Sequence, residues 1–386
     1  MTQTPLHLYV HIPFCIHKCA YCDFNSHENS APDWQQYGEA LLSELKSWST
    51  EPQFTGRKLV SIFFGGGTPS LAPPALIANV ISNGKMLFGL DADCEVSLEA
   101  NPGTVDAEHF KGYREAGVNR LSIGVQSFDN DELQWLERIH GKEQAISALK
   151  IGRAAGFENI NLDLIYGLPN QTVPSWLQTL DAAIALGPEH LSCYQLTVEP
   201  HTRLATEIDQ VADRLPDDEL ALEFFFRTRE QLKNAGYEAY EISNFSKPGL
   251  KCRHNNGYWL YHDYIGIGAG ASGKWDMEDG RVIRYSNIRN PLQYNDSALK
   301  TGRAVNSDER LPKGTAEAEA LWQGLRRSRG ISNQRFAERF GCNIQDRFGS
   351  ELEPWLTEKK LIWDGDHLRM TDKGLPFADS IAEALF

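Results

Sequence analysis

The sequence predicts an α/β protein. Parallel strand–helix units form a partial barrel of six, followed by a smaller helical appendage of winged-helix character. Three observations carry this. Short apolar runs alternate with amphipathic helical stretches, turns rich in Gly, Asn and Pro follow several of the runs, and the pattern changes beyond about Asp308. With 386 residues, 41% of them hydrophobic, the chain can bury a large core and exceeds one average domain.

The strand candidates are Leu6–Ile12, Leu59–Phe64, Glu95–Ala100, Arg120–Val125, Asn159–Tyr166 and His190–Leu196. Between them, Trp34–Trp48, Asp106–Ala116, Lys142–Ala155 and Ser175–Leu186 repeat apolar residues at three- and four-residue spacing, as helices do. Gly65-Gly66-Gly67, Asn101-Pro102-Gly103 and Gly167-Leu168-Pro169 mark strand C-terminal ends, where parallel α/β folds build their sites. In the appendage, Ala316–Arg329 and Asn333–Phe340 read as helices, and Leu361–Met370 as a hairpin turning at Asp364-Gly365. The expected division is 1–245 for the partial barrel, 246–307 for a connecting segment and 308–386 for the appendage.

Composition excludes several classes. No stretch approaches the roughly 18 apolar residues of a membrane-spanning helix. Met1–Pro5 carries neither a basic nor an apolar leader region, so a cytoplasmic location is expected. The formal net charge of -14 disfavours nucleic acid as a partner. Basic and acidic residues nearly balance over 308–386, so the appendage is expected to pack rather than bind DNA. Seven cysteines on a long chain without an export signal do not suggest disulfides.

Three of those cysteines lie within eight residues. Cys15-Ile16-His17-Lys18-Cys19-Ala20-Tyr21-Cys22 has the spacing C-x3-C-x2-C and directly follows the first strand. Three thiolates on one loop can hold a [4Fe-4S] cube and leave one iron open for an outside ligand. The bland alternative is a zinc loop completed by a distant ligand such as Cys252.

This loop resembles the signature of the radical S-adenosylmethionine (SAM) superfamily. Tyr9-Val10-His11-Ile12-Pro13-Phe14-Cys15 narrows the resemblance to oxygen-independent coproporphyrinogen III oxidases and their relatives, over most of the chain. The resemblance implies a [4Fe-4S] cluster on Cys15, Cys19 and Cys22. It implies SAM on the open iron, cleaved by one electron to a 5′-deoxyadenosyl radical. It also assigns SAM contacts to Tyr9, Tyr21, the Gly66-Gly67-Thr68 turn, Glu99, Gln126, Arg138 and Asp163. By the residues alone, Glu99, Gln126, Arg138 and Asp163 read equally as salt bridges or strand-end caps, Tyr9 as a strand aromatic, and the turn as a tight bend. Ile265–Ser272 is either close packing near the adenine or a structural strand turn.

Two departures separate the chain from the oxidases. Phe24 stands where they carry a fourth cysteine, and only 14 residues precede Cys15. Cys22-Asp23-Phe24 is similar instead to the HemW-type haem chaperone branch. So is His254-Asn255-Asn256-Gly257-Tyr258-Trp259, which matches its HNxxYW motif. That branch implies haem binding, with His254 as the first choice of contact, Cys252 nearby, and Tyr258 and Trp259 packing on the porphyrin. The alternative is that His254 and Asn255 hydrogen-bond a loop while Tyr258 and Trp259 fill core. His11, His140 and His190 read as structural.

The expected function is therefore a haem chaperone that binds haem and delivers it to client haemoproteins, with a haem donor protein among its partners. Peripheral membrane association and a homodimer are left open by the motifs. The rival reading is an oxygen-independent coproporphyrinogen III oxidase that decarboxylates propionates by radical chemistry, and a weaker third is a radical SAM enzyme with a non-porphyrin substrate.

Overall fold

Along the expected strands, apolar and polar side chains alternate. Leu6, Leu8, Val10 and Ile12 alternate with His7, Tyr9 and His11, and Val96 and Leu98 alternate with Glu95, Ser97 and Glu99. A strand sends successive side chains to opposite faces. The apolar set joins the helices in one core, and the polar set lines the inner face of the sheet. The computed structural model describes residues 4–277 and 279–386. Met1–Gln3, part of the N-terminal segment that lacks the features of an export signal, lie outside the described residues.

Six strands pair in parallel in chain order: β1 (Leu6–Ile12), β2 (Leu59–Gly66), β3 (Leu90–Ala100), β4 (Arg120–Gln126), β5 (Ile160–Tyr166) and β6 (His190–Gln195). The connecting helices are α1 (Trp34–Ser49), α2 (Pro74–Phe88), α3 (Ala107–Ala116), α4 (Asn130–Trp135), α5 (Lys142–Ala154) and α6 (Val173–Ala185). Their starts follow from local chemistry. The side chains of Asp33, Asp106, Asp129 and Thr172 each accept a backbone N–H from the first turn of α1, α3, α4 and α6.

The sheet extends beyond these six strands on both sides. Beyond α7 (Asp218–Asn234), β7 (Glu238–Ala239) and β8 (Asn244–Ser246) add antiparallel pairing at the β6 edge. After α8 (Arg253–Trp259), β9 (Asp263–Ile267) pairs in parallel with the free edge of β1. Antiparallel strands β10 (Ser272–Asp276), β11 (Val282–Asn287) and β12 (Val305–Leu311) continue from it. The order is β12-β11-β10-β9-β1-β2-β3-β4-β5-β6-β8-β7, an open mixed sheet whose two ends do not pair.

The appendage contains α9 (Lys313–Leu325), α10 (Asn333–Phe340) and α11 (Ile344–Thr357). Its three-stranded sheet has the order β13 (Ile331–Ser332), β15 (His367–Met370), β14 (Leu361–Asp364). Ala316, Leu321, Phe336, Phe348, Leu361 and Leu368 form a second core, closed by Tyr261, Val282 and Leu311. The hairpin turns at Gly365-Asp366, one residue later than the sequence suggests. Gly365 takes the positive φ of 59° that such a turn needs at its first central position. Among the described residues no helix is long and apolar enough to cross a membrane.

Candidate functional site

The cysteine loop leaves the C-terminal end of β1 and is fastened at several points. Phe14–Cys15 pairs with His27–Glu28, which closes the loop on itself. The turn after β2 holds its base: Gly67 N–H donates to the Ile12 carbonyl at 2.8 Å and Thr68 N–H to that of Phe14 at 2.9 Å. Lys18 Nζ donates to the Phe24 carbonyl at 3.0 Å. Cys15, Cys19 and Cys22 are free, and the first two are buried. Burial pushes the Cys15 and Cys22 thiols up, and the neighbouring sulfurs add to the rise, Cys22 and Cys19 at Cys15 and Cys19 at Cys22. Among the described residues, no three His, Cys, Asp or Glu side chains are grouped as ligands of a single metal ion.

Donors aim at these sulfurs. Thr68 Oγ1 donates to Cys15 Sγ at 3.3 Å, and Arg138 Nη1 to Cys19 Sγ at 3.6 Å. Ser26 Oγ lies 3.8 Å from Cys22 Sγ. Hydrogen bonds and a nearby cation favour a thiolate over a thiol. The donor set therefore fits a group bound by three thiolates.

The glycine turn leaves room beside them. Gly66 has φ 116°, a conformation side chains avoid, and a Cβ there would lie 2.6 Å from the His11 ring. A Cβ on Gly67 would lie 2.8 Å from the Phe14 carbonyl oxygen and 3.0 Å from Cys15 Sγ.

The other expected contacts gather on the same edge. Glu99, at the end of β3, accepts the Gly66 N–H at 3.1 Å. Burial, then the charge of Asp163, pushes its carboxyl up to about 8. Asp163 on β5 accepts from Asn161 at 2.8 Å and Ser122 at 3.0 Å, and burial raises it too. Gln126 sits at a register shift between β4 and β5 with φ 68°. That is an uncommon backbone for a residue with a side chain. A Cβ on Gly124 would lie 3.0 Å from Gln126 Nε2 and 3.5 Å from Arg138 Nη2, so the two side chains share one corner. Arg138 Nη2 donates to the Gly124 carbonyl at 3.1 Å, and its buried Nε has no partner. An orphaned buried donor suits a ligand acceptor. Tyr21 packs against Leu136, Ile165 and Leu168, and burial drives its hydroxyl pKa up.

Tyr9 lies across the sheet from that corner. It donates to His11 Nδ1 at 3.0 Å, while His11 Nε2 donates to the Asn25 carbonyl at 2.8 Å. Burial holds His11 down near 4, hence neutral.

His254 is 2% exposed at the start of α8. Its Nδ1 meets Ser61 Oγ at 2.7 Å and its Nε2 meets Tyr258 OH at 2.9 Å. Ser61 also meets His7, and His7 meets His262, so a hydrogen-bonded chain runs from His262 to Tyr258. Both His254 nitrogens are thus engaged, and Phe63 stacks on the ring with centroids 5.0 Å apart. Trp259 faces Arg326, whose guanidinium carbon lies 4.8 Å from the ring centroid. Cys252 donates to Glu95 at 3.4 Å, and burial pushes it up to about 12. Glu95 precedes Glu99 by four residues, about 13 Å along a strand. Cys252 therefore sits toward the opposite end of the sheet from the cysteine loop, which removes the zinc alternative built on it. His190 bridges Asn161 and Tyr240, and His140 donates to the Val125 carbonyl.

A cavity of about 450 Å³ opens beside the loop. Tyr9, Phe24, Tyr258 and Tyr264 supply its aromatic walls, with Gly66 and Glu99 at one side. Phe24 is 57% exposed. Gly268 and Gly270 let the β9–β10 turn approach this wall: a Cβ would lie 2.4 Å from the His11 carbonyl at the first and 2.3 Å from Asn25 Nδ2 at the second. That turn packs on β1 and the cysteine loop, and its Gly270 and Ser272 also line the cavity.

Sequence reasoning missed Glu137, Ser61 and Glu95. The Glu137 carbonyl accepts from Cys19 at 3.8 Å, and its carboxylate meets His17 at 3.1 Å and pairs with Arg203. Glu95 accepts the Arg253 and His254 N–H groups at the start of α8. The period-two polar pattern of β2 and β3 was the available signal for Ser61 and Glu95. Nothing local marked Glu137.

The radical SAM superfamily profile matches residues 9–183, and that of the HemN C-terminal domain matches residues 313–377. The heme chaperone HemW of Haemophilus influenzae is 38% identical over 383 residues, 98% of this chain and 97% of the relative. That of Escherichia coli is 38% identical over 381 residues, with the same coverage. The mouse protein named radical S-adenosyl methionine domain-containing protein 1, mitochondrial, is 36% identical, covering 97% of this chain and 86% of its own. Among solved structures, the E. coli coproporphyrinogen III oxidase HemN superposes with a TM-score of 0.84 at 25% identity, covering 99% of this chain and 90% of that one. The chain belongs to the radical SAM superfamily and, within it, to the HemW heme chaperone family.

Proposed function

We propose that the protein is a cytoplasmic haem chaperone, binding a [4Fe-4S] cluster, SAM and haem and passing haem to client haemoproteins. Cys15, Cys19 and Cys22 would hold the cluster. When bound, the cluster supplies an open iron for SAM and an electron for its sulfonium. Thr68 and Arg138 would stabilise the thiolates. Gly66 and Gly67 would let the methionine end of SAM approach the backbone. Glu99 would receive its ammonium, Gln126 and Asp163 its ribose hydroxyls, and the Arg138 Nε an acceptor of the same ligand. Tyr9 would border the pocket and Tyr21 would hold the loop against its apolar floor.

The aromatic cavity beside the loop is the single observation that carries the haem part of this reading. A porphyrin is flat and apolar on both faces, and rings at a cavity wall suit it. Tyr258 would be the contact made by the HNxxYW motif. His254 would reach iron only after its Nε2 releases Tyr258; as arranged, it holds Tyr258 against the cavity.

The test is a Soret titration of the purified, anaerobically reconstituted protein, followed by transfer to an apo-haemoprotein. Stoichiometric binding and transfer are expected. The superposition on HemN favours one second reading, porphyrinogen decarboxylation. Anaerobic conversion of coproporphyrinogen III to protoporphyrinogen in a parallel assay would establish that reading instead.

A further inference from the structure

Arg289 follows β11 at the mouth of the aromatic cavity. Its backbone carbonyl accepts from Asn25 Nδ2 at 3.0 Å and His27 Nε2 at 3.2 Å. Its own Nε donates to Asn25 Oδ1 at 3.3 Å. Three bonds therefore fasten the residue to the segment that leaves the cysteine loop. Among the described residues no carboxylate pairs with its guanidinium, although the chain carries 52 acidic residues against 38 basic ones. Elsewhere in the same region arginines do find acids: Arg57 pairs with Asp263, Arg284 with Glu309 and Glu319, and Arg303 with Glu51. Among the described residues the Nη donors of Arg289 thus have no carboxylate partner, on a residue that lines the cavity.

The rest of the lining explains what such a donor is for. Phe24, Tyr258 and Tyr264 give the cavity apolar walls, and its remaining lining carboxylate, Glu99, is already engaged with Gly66. A ligand that fills it gains by having apolar faces and an acidic edge at the rim. There a guanidinium can bind a carboxylate through two parallel hydrogen bonds without burying the charge. We infer that Arg289 receives a carboxylate of the ligand in this cavity, a propionate of the porphyrin. This rests on the haem reading above. The amino-acid carboxylate of SAM has the same chemistry. Gly66 and Glu99, given above to the methionine end of SAM, also line this cavity; the porphyrin is favoured because Arg289 shares the cavity with Phe24, Tyr258 and Tyr264, aromatic walls that match the flat faces of a porphyrin and not an amino-acid group.

The experiment compares haem with its dimethyl ester, both in the same detergent buffer, on wild-type protein, Arg289→Gln and Arg289→Lys, with SAM titrated separately. Wild type should bind haem about tenfold more tightly than the ester. Arg289→Gln should lose most of that preference and Arg289→Lys should retain part of it, with SAM affinity unchanged in both. A preference for haem over the ester that survives Arg289→Gln overturns the assignment. So does a loss of SAM affinity with the preference intact, which would give the carboxylate to SAM. Haem binding by wild type without any preference over the ester overturns Arg289 alone. No porphyrin binding by wild type removes the haem reading and this inference with it.

Discussion

The carboxylate of Glu99 accepts the Gly66 N–H at 3.1 Å, tying the end of β3 to the glycine turn after β2. The bond holds a buried acid beside the cysteine loop, where burial and Asp163 raise its pKa to about 8 against an ordinary 4.5. Between these values the folded state keeps a proton that the unfolded chain has released. Stability of the ligand-free protein should therefore fall as pH rises from 4.5 to 8, and the full penalty applies above 8. Denaturant melts across that range should show the slope, and Glu99→Gln should flatten it by up to several kcal/mol, at about 1.4 kcal/mol per unit.

The same proton should govern SAM binding. A cationic ammonium at Glu99 favours the ionised carboxylate, so affinity should rise as pH climbs toward 8 and binding should release a proton. Calorimetry in two buffers of different ionisation enthalpy counts that proton. Unchanged proton release in Glu99→Gln would remove Glu99 from the ammonium site.

Gly67 is the more stringent test of the turn. An added Cβ meets the Phe14 carbonyl and Cys15 Sγ at 3.0 Å or less, and neither can move without shifting the loop. Gly67→Ala should cost about 1–3 kcal/mol of stability, as overpacking does, and at least tenfold in SAM affinity. Gly187→Ala, which meets nothing within 4 Å, tests the strain of a positive φ alone and should leave SAM binding intact.

Replacing Cys19 with Ser should abolish the visible absorption of the reconstituted cluster and lower the iron count. Arg138→Gln should retain the cluster and shift its reduction potential to more negative values, because a cation and a hydrogen bond at the Cys19 sulfur are lost. Anaerobic potentiometry reads the shift.

Ser61→Ala should leave His7 and His254 each short of one hydrogen bond and cost about 1–3 kcal/mol. In the haem complex of His254→Ala, affinity should fall through a displaced Tyr258 while the axial-ligand signature in electron paramagnetic resonance stays as in wild type. A changed signature would put His254 on the iron.

Local pattern made much of this molecule legible. The six parallel strands, α1, α3, α5 and α6 were readable because a strand repeats every two residues and a helix every 3.6. The boundaries of β1 and of Asn333–Phe340 agree with the expected ones. The cysteine loop and the glycine turn were equally plain, since both chemistries depend on spacing within a few residues. Tertiary structure decided the rest. No local pattern tells β9 to pair with β1 across more than 250 residues, or closes both His254 nitrogens with Ser61 and Tyr258. Nor does it bring Arg289 to Asn25, 264 positions away. These contacts depend on which edges and side chains meet after the chain has collapsed, information held by the whole sheet rather than by any one segment.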